Sequence, residues 1–169
     1  MKIGLLLPQG YFDEFEGWQP VAAWERILEI AQLGERLGFD TLWAGEHTLS
    51  KWDPEGMVFD GLTLHTAVAA AVPRVDIGFG VINSTFRNPA MTAKMASTLD
   101  TISGGRLILG LGCGFKPSEA TAFGVPIRMV KHVSDMADAE AMRSWTSTVD
   151  ECSRALAVWL ATSYFPRTG

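Results

Sequence analysis

Cysteine and positive charge are both in short supply in this sequence. Two cysteines, Cys113 and Cys152, provide neither a disulfide framework nor the paired spacing of a metal site. No metal is therefore expected, and the expected compartment is a reducing cytoplasm. Lysine and arginine total 14 against 19 acidic residues, a formal charge of −5 with no basic cluster. That balance argues against nucleic acid or an acidic membrane surface as partner. The opening MKIGLLLPQG is broken by Pro8 too soon to be read as a signal peptide. A Gly-Lys-Ser/Thr phosphate loop is missing. Gly110, Gly112 and Gly114 also lack the further glycine of a dinucleotide fingerprint, because position 115 is Phe and position 117 is Pro. A small molecule is left as the expected partner. The remaining composition, 47% hydrophobic and 20% charged, is that of a globular chain. At this length it would bury roughly 70% of its unfolded surface if it closed on itself.

What is present is organised around residues 88–119. Pro89 suits a first helical turn, and Met91, Met95, Leu99 and Ile102 recur at three- and four-residue spacing, which predicts one buried helical face. Ser103-Gly104-Gly105 stops that helix. Residues 107–111 form a continuous apolar run of the kind found in strands covered on both faces. Gly112-Cys113-Gly114 then forms either a cradle where backbone N–H groups approach an anion or simply a tight strand exit, and Pro117-Ser118-Glu119 opens the next helix.

The rest repeats the same grammar. Residues 2–8 predict a first strand, followed by a loop with Tyr11 and Phe12. An amphipathic helix follows Pro20, with Val21, Trp24, Ile27, Leu28, Ala31 and Leu37 apolar and Gly38 as its stop. Residues 39–44 predict the second strand, which ends in Gly45-Glu46-His47. A second helix is expected near 62–72 and a third strand over 75–82. Strands starting near 2, 39, 75 and 106 make a βα repeat of about 30–40 residues, whose helical crossovers impose parallel, right-handed order. Residues 130–146 read as weakly helical and 152–165 as a short apolar helix carrying Leu156, Trp159 and Leu160. No fifth strand follows. A full eight-fold barrel takes about 250 residues, so the expected fold is α/β. With four parallel units over 1–126 and a divergent helical tail over 127–169, the chain makes at most half of a (β/α)8 barrel, the N-terminal half if its first strand is the barrel's first. Its open sheet edges favour self-association, a homodimer being the simplest form.

Several linked stretches, KIGLLLPQG, GFDTLWAGEH, FRNPAMTAKMASTLDTISGGRLILGLGCGF and the trailing E…FGVP, resemble the luciferase-like monooxygenase superfamily. Within it they are more similar to the coenzyme F-420-dependent oxidoreductases than to the flavin-dependent luciferases. The resemblance covers about residues 1–126. It implies an eight-stranded barrel with a deazaflavin or flavin at the C-terminal ends of the strands, and hydride transfer between reduced F-420 and a small organic substrate. FMN-dependent monooxygenation is the alternative chemistry, and an inactive, self-associating half-barrel is the alternative outcome. The family's Trp-x-x-acid-His element falls on Trp43, Glu46 and His47. His47, with Glu46, is then a catalytic or substrate-contacting group; the competing reading is a capping histidine satisfied by Glu46.

The family's non-proline cis peptide would fall at Gly80-Val81, where the residues alone are equally compatible with an ordinary strand. Asn83 and Ser84 would contact the cofactor or else end the strand. Gly112, Cys113 and Gly114 resemble the loop near the ribityl phosphate. Cys113 stands where flavin-dependent luciferases tend to carry an arginine, which favours F-420 over FMN. Phe115 and Lys51 replace the acid and the tryptophan of the family's sugar-phosphate dehydrogenases, which argues against a sugar phosphate. Asp100 and Arg106 belong to the turn signature and are expected to form a salt bridge. Residues 48–60 either line the pocket through Trp52, Met57 and Phe59 or pack on the second helix. After Pro126 the family pattern fails, which suggests a truncated or frame-shifted reading of a longer gene.

Overall fold

The computed structural model describes residues 1–114 and 116–124, together with Arg154 and Val158, both helical. The chain divides into two units, Met1–Pro126 and Ile127–Gly169. The expected tail helices and Phe115 lie outside the described residues, Arg154 and Val158 excepted.

In the first unit strands and helices alternate: β1 (Gly4–Leu6), α1 (Pro20–Leu37), β2 (Thr41–Ala44), α2 (Gly61–Ala71), β3 (Asp76–Asn83), α3 (Pro89–Ser103), β4 (Leu107–Gly112) and α4 (Pro117–Ala122). The strands form one sheet in the order β1-β2-β3-β4, and every adjacent pair is parallel. Local chemistry sets the helix ends. Pro20 and Pro89 sit at the first turns of α1 and α3, where a missing N–H leaves no bond unmade. Asp60 caps α2 by accepting from the Thr63 N–H at 2.8 Å, and Asn88 caps α3 by accepting from Ala90 at 2.8 Å. Gly38 and Gly104 close α1 and α3 in the left-handed conformation.

The core lies between the helices and one face of the sheet. Ile27 and Ala31 of α1 and Val68 of α2 bury there with Leu42, Ala44, Ile77, Phe79 and Ile82 of β2 and β3. The helical faces differ from those read off the apolar spacing. In α1 the buried set is Ala23, Ile27, Ala31 and Gly34, while Val21 and Leu37 are exposed. In α3 it is Thr92, Ala96, Leu99 and Ser103, while Met91 and Ile102 are exposed. A small residue lets a helix sit close to the sheet, so proximity rather than apolarity selects the contact face.

β4 also departs from expectation. Rather than being covered on both faces, it leaves Ile108, Leu109 and Leu111 partly open, Leu111 by 58%. Asp100 and Arg106 form no salt bridge. The Arg106 guanidinium donates instead to the carbonyls of Ser103 (2.6 Å), Ala69 (3.0 Å) and Val75, and Asp100 accepts from the Leu107 N–H at 3.3 Å. The planar guanidinium fork thus joins α2, the residue before β3 and the end of α3 through backbone that no side-chain substitution can remove.

His65, on α2, is fully buried, with Nε2 3.1 Å from the Gly78 carbonyl and its ring against Phe79. Burial pushes its pKa down to about 4. The unfolded chain, with an ordinary histidine near 6.5, therefore binds a proton that the folded chain refuses over that interval. Stability is fully present above about pH 6.5 and falls as pH drops toward 4, by about 3 kcal/mol in total. Urea midpoints at pH 7 and pH 5 should show this slope, and His65→Leu should flatten it.

Candidate functional site

The C-terminal exits of β2, β3 and β4 lie side by side, and they carry the residues singled out from the sequence. Behind them the sheet face turned away from the core is lined by glycine. A Cβ at Gly78 would lie 2.5 Å from the Trp43 ring, and a Cβ at Gly112 would lie 2.5 Å from a Val81 methyl. Two bulky side chains, Trp43 and Val81, thus lie flat against neighbouring backbone because those neighbours have none.

The Gly80–Val81 peptide is cis. Phe79 pairs with Leu109 and Ile82 with Leu111, so β3 spends three steps where β4 spends two. This is a bulge of one extra residue, which keeps Phe79 and Ile82 both buried while leaving Val81 43% exposed on the other face.

Gly112 and Gly114 have partners inside the protein: Val81 for the first, and for the second the Asn83 amide, which any Cβ there would strike. Gly114 also has a positive φ of 74°. The glycine loop is therefore required by close approach to β3, whether or not an anion also approaches it. Cys113 between them is exposed. Ser84 ends the strand, donating both its N–H and its hydroxyl to the Gly112 carbonyl at 2.8 Å.

Glu46 and His47, adjacent in sequence, have separate partners. The Glu46 carboxylate is buried, accepts from the Asn83 N–H at 2.6 Å and pairs with Arg87, which also lies 3.7 Å from Asp60. Glu46 therefore does not cap His47. It fastens the exit of β2 to the residue just beyond the β3 bulge, and Asn83 in turn accepts from the Thr85 N–H at 3.0 Å and the Thr85 hydroxyl at 2.8 Å.

His47 meets Glu119, on the first turn of α4, with Nδ1 3.2 and 3.3 Å from its two oxygens. Glu119 is 3% exposed and also accepts from the N–H groups of Thr48 at 2.9 Å and Leu49 at 3.3 Å. Tyr11 stacks on the imidazole at 3.5 Å with an interplanar angle of 11°. The Lys116 ammonium donates to the carbonyls of Leu49 (2.9 Å) and Ser50 (2.5 Å) and lies 5.1 Å from the centre of the Tyr11 ring. Burial is the main influence on His47 and pushes its pKa below the usual value; Glu119 opposes that shift. Burial therefore favours the neutral ring at pH 7.

Of the loop residues, Met57 and Phe59 pack against the core, whereas Trp52 is exposed. Glu119, Lys116 and Arg87 were not legible as site residues. Glu119 could be seen only as a helix start and as the lone acid before FGVP, and its partner is 72 positions away in sequence. Among the described residues no group of His, Cys, Asp and Glu is arranged to hold a metal, and no helix is long and apolar enough to cross a membrane.

The sequence pattern of a family described as luciferase-like monooxygenase matches residues 1–150. The 4-hydroxyprotoasukamycin monooxygenase of Streptomyces nodosus is 32% identical over 109 residues, which are 64% of this chain and 29% of that protein. The F-420-dependent glucose-6-phosphate dehydrogenase of Amycolatopsis mediterranei is 34% identical over 120 residues, 70% of this chain and 35% of that protein. Among solved structures, the monooxygenase RslO1 of Streptomyces bottropensis superposes with a TM-score of 0.64 at 27% identity, covering 91% of this chain and 42% of that one. The F-420-dependent tetrahydromethanopterin reductase of Methanopyrus kandleri gives a TM-score of 0.54 at 26% identity, covering 74% and 30%. The chain spans about a third of the length of the curated relatives it matches. Its parallel βα units correspond to part of a luciferase-like barrel. With the family pattern matched over most of its length, the chain belongs to the luciferase-like monooxygenase family.

Proposed function

We propose that residues 1–126 carry one wall of a deazaflavin site, and that the reaction served is hydride transfer between reduced coenzyme F-420 and a small organic substrate. The observation that carries this reading is the convergence of His47, the Val81 bulge and the Gly112–Gly114 loop at adjacent exits of one parallel sheet. Chemistry on barrels of this kind sits on those βα loops.

The residues present fit a flat ring. Val81 is a half-exposed apolar support beside the glycine-lined backbone, and the exposed Cys113 keeps the β4 exit free of a bulky cation at the position where flavin-dependent luciferases tend to carry arginine. When bound, the deazaflavin supplies or accepts the hydride. The neutral His47 ring accepts the accompanying proton and returns it once protonated, Tyr11 fixes the plane of that ring, and Glu46 fixes the backbone beyond the bulge through Asn83. Two relatives are named for F-420 dependence, which supports the choice of cofactor. A second reading, FMN-dependent monooxygenation, has its support in the similarity to two monooxygenases.

Titrating the purified chain with F-420 and, separately, with FMN tests the reading. Saturable binding of F-420 at micromolar concentration, with FMN at least tenfold weaker, is the expected result. The reverse order supports monooxygenation, and no binding of either removes the cofactor assignment.

A further inference from the structure

We infer that Glu119 is a positioning residue for His47: its carboxylate holds the Nδ1 proton, so that the neutral ring is fixed as the Nδ1–H tautomer with its lone pair on Nε2. The inference rests on the reading that His47 works at this site, and it adds the atom and the partner that set its chemistry.

The donor and acceptor roles follow from what surrounds the carboxylate. Backbone N–H groups only donate, and Glu119 faces two of them, Thr48 at 2.9 Å and Leu49 at 3.3 Å. A buried carboxyl that receives fixed donors is held as an acceptor, and a ring nitrogen 3.2 Å from it then carries its hydrogen toward it. The stacked Tyr11 ring holds one face of the imidazole while Glu119 holds one edge, so the ring cannot turn over to exchange its nitrogens without leaving both contacts. This is the same division of labour by which a buried carboxylate fixes the tautomer of a catalytic histidine in unrelated hydrolases.

Among the described residues, the charged and titratable groups facing His47 come from three segments. Glu119 on α4 and Glu46 at the β2 exit favour its protonated form, Lys116 before α4 opposes it, and Tyr11 from the β1–α1 loop covers its face. Because α4 begins five residues after β4 ends, the loop proposed to face the cofactor and the residue that orients His47 are parts of one short segment. Lys116 fastens the same segment to the carbonyls of Leu49 and Ser50.

A Glu119 that served only to cap Thr48 and Leu49 would still act on the ring by its charge, but it would not dictate which ring nitrogen carries the hydrogen. Nitrogen and carbon chemical shifts of the histidine rings in the full chain separate the two cases, with His47→Gln assigning the His47 signal among the three histidines. In the parent chain above neutral pH the expected tautomer is Nδ1–H. In Glu119→Gln, which keeps the shape and an acceptor for the backbone but removes the charge, the His47 titration midpoint should fall by about one pH unit, and the Nε2–H tautomer should appear.

An Nε2–H ring in the parent chain overturns the inference without any variant, so the test survives a Glu119→Gln chain that does not fold. An unchanged midpoint and tautomer in a folded Glu119→Gln chain also overturns it. The F-420 titration is independent of these shifts. Correct tautomers without F-420 binding would reject the cofactor assignment alone, and F-420 binding with the wrong tautomer would reject only the role of Glu119.

Discussion

Glu46→Ala is expected to lower the unfolding free energy by about 3 kcal/mol. The carboxylate is buried, the Asn83 N–H donates to it at 2.6 Å, and Arg87 pairs with its other oxygen. Removing it leaves a buried amide without an acceptor and a mostly buried guanidinium with, among the described residues, only Asp60 at 3.7 Å to turn to. Each loss belongs to the costly class, in which one partner of a desolvated pair is deleted while the other stays behind. Glu46→Gln keeps an acceptor for Asn83 and loses only the charge, so it should recover about half of the deficit. Urea unfolding of the parent and both variants checks this, and a Glu46→Ala chain within 1 kcal/mol of the parent would show that Asn83 and Arg87 find new partners. The effect belongs to the site as well as the fold. Asn83 is the side chain against which Gly114 packs, so loosening it frees the loop at the β4 exit.

Substituting His47 with Gln should leave F-420 affinity unchanged and lower the hydride-transfer rate about 10²–10⁴-fold, the usual contribution of a positioned acid or base. Glutamine retains polarity and approximate length but cannot titrate. The pH profile of the parent supplies the complementary check. A group that works as a neutral base loses activity as pH falls through its pKa, and burial sets that pKa below the usual 6.5 or so. The acid limb should therefore lie below pH 6.5 in the parent and be absent in His47→Gln. Single-turnover reduction of F-420, followed by absorbance with any small organic donor that supports turnover, measures both. A variant with the parent's rate and acid limb would remove His47 from the chemistry.

Glu46 and His47 also show how far an amino-acid pattern reaches. The motif Trp43-x-x-Glu46-His47 identifies a strand exit and two groups capable of proton chemistry, yet it invites pairing them with each other. In the folded chain they are tied in different directions, Glu46 to β3 and the Arg87 region, His47 to α4. Their partners lie 37 and 72 positions away, and spacing within one segment carries no information on contacts at that range. The glycines of the β4 exit gave a comparable ambiguity. Their lack of a side chain was visible at once, but that Val81 and Asn83 occupy the adjoining space depends on the register of β3 against β4.

Local chemistry in the chain was enough to determine the alternation of strands and helices, the first-turn prolines and the glycine stops, from which a parallel sheet followed. All of these depend on neighbours a few residues apart, whose influence is already present in a peptide. Tertiary structure alone decided which helical residues are buried. Thr92 and Ala96 lie inside while Met91 and Ile102 lie outside, because the distance of closest approach between α3 and the sheet favours small side chains over apolar ones. It also decided that Arg106 serves three carbonyls rather than Asp100, and that Glu119 faces His47. Those choices are made when distant strand exits come within hydrogen-bonding reach, and only the folded chain brings them there.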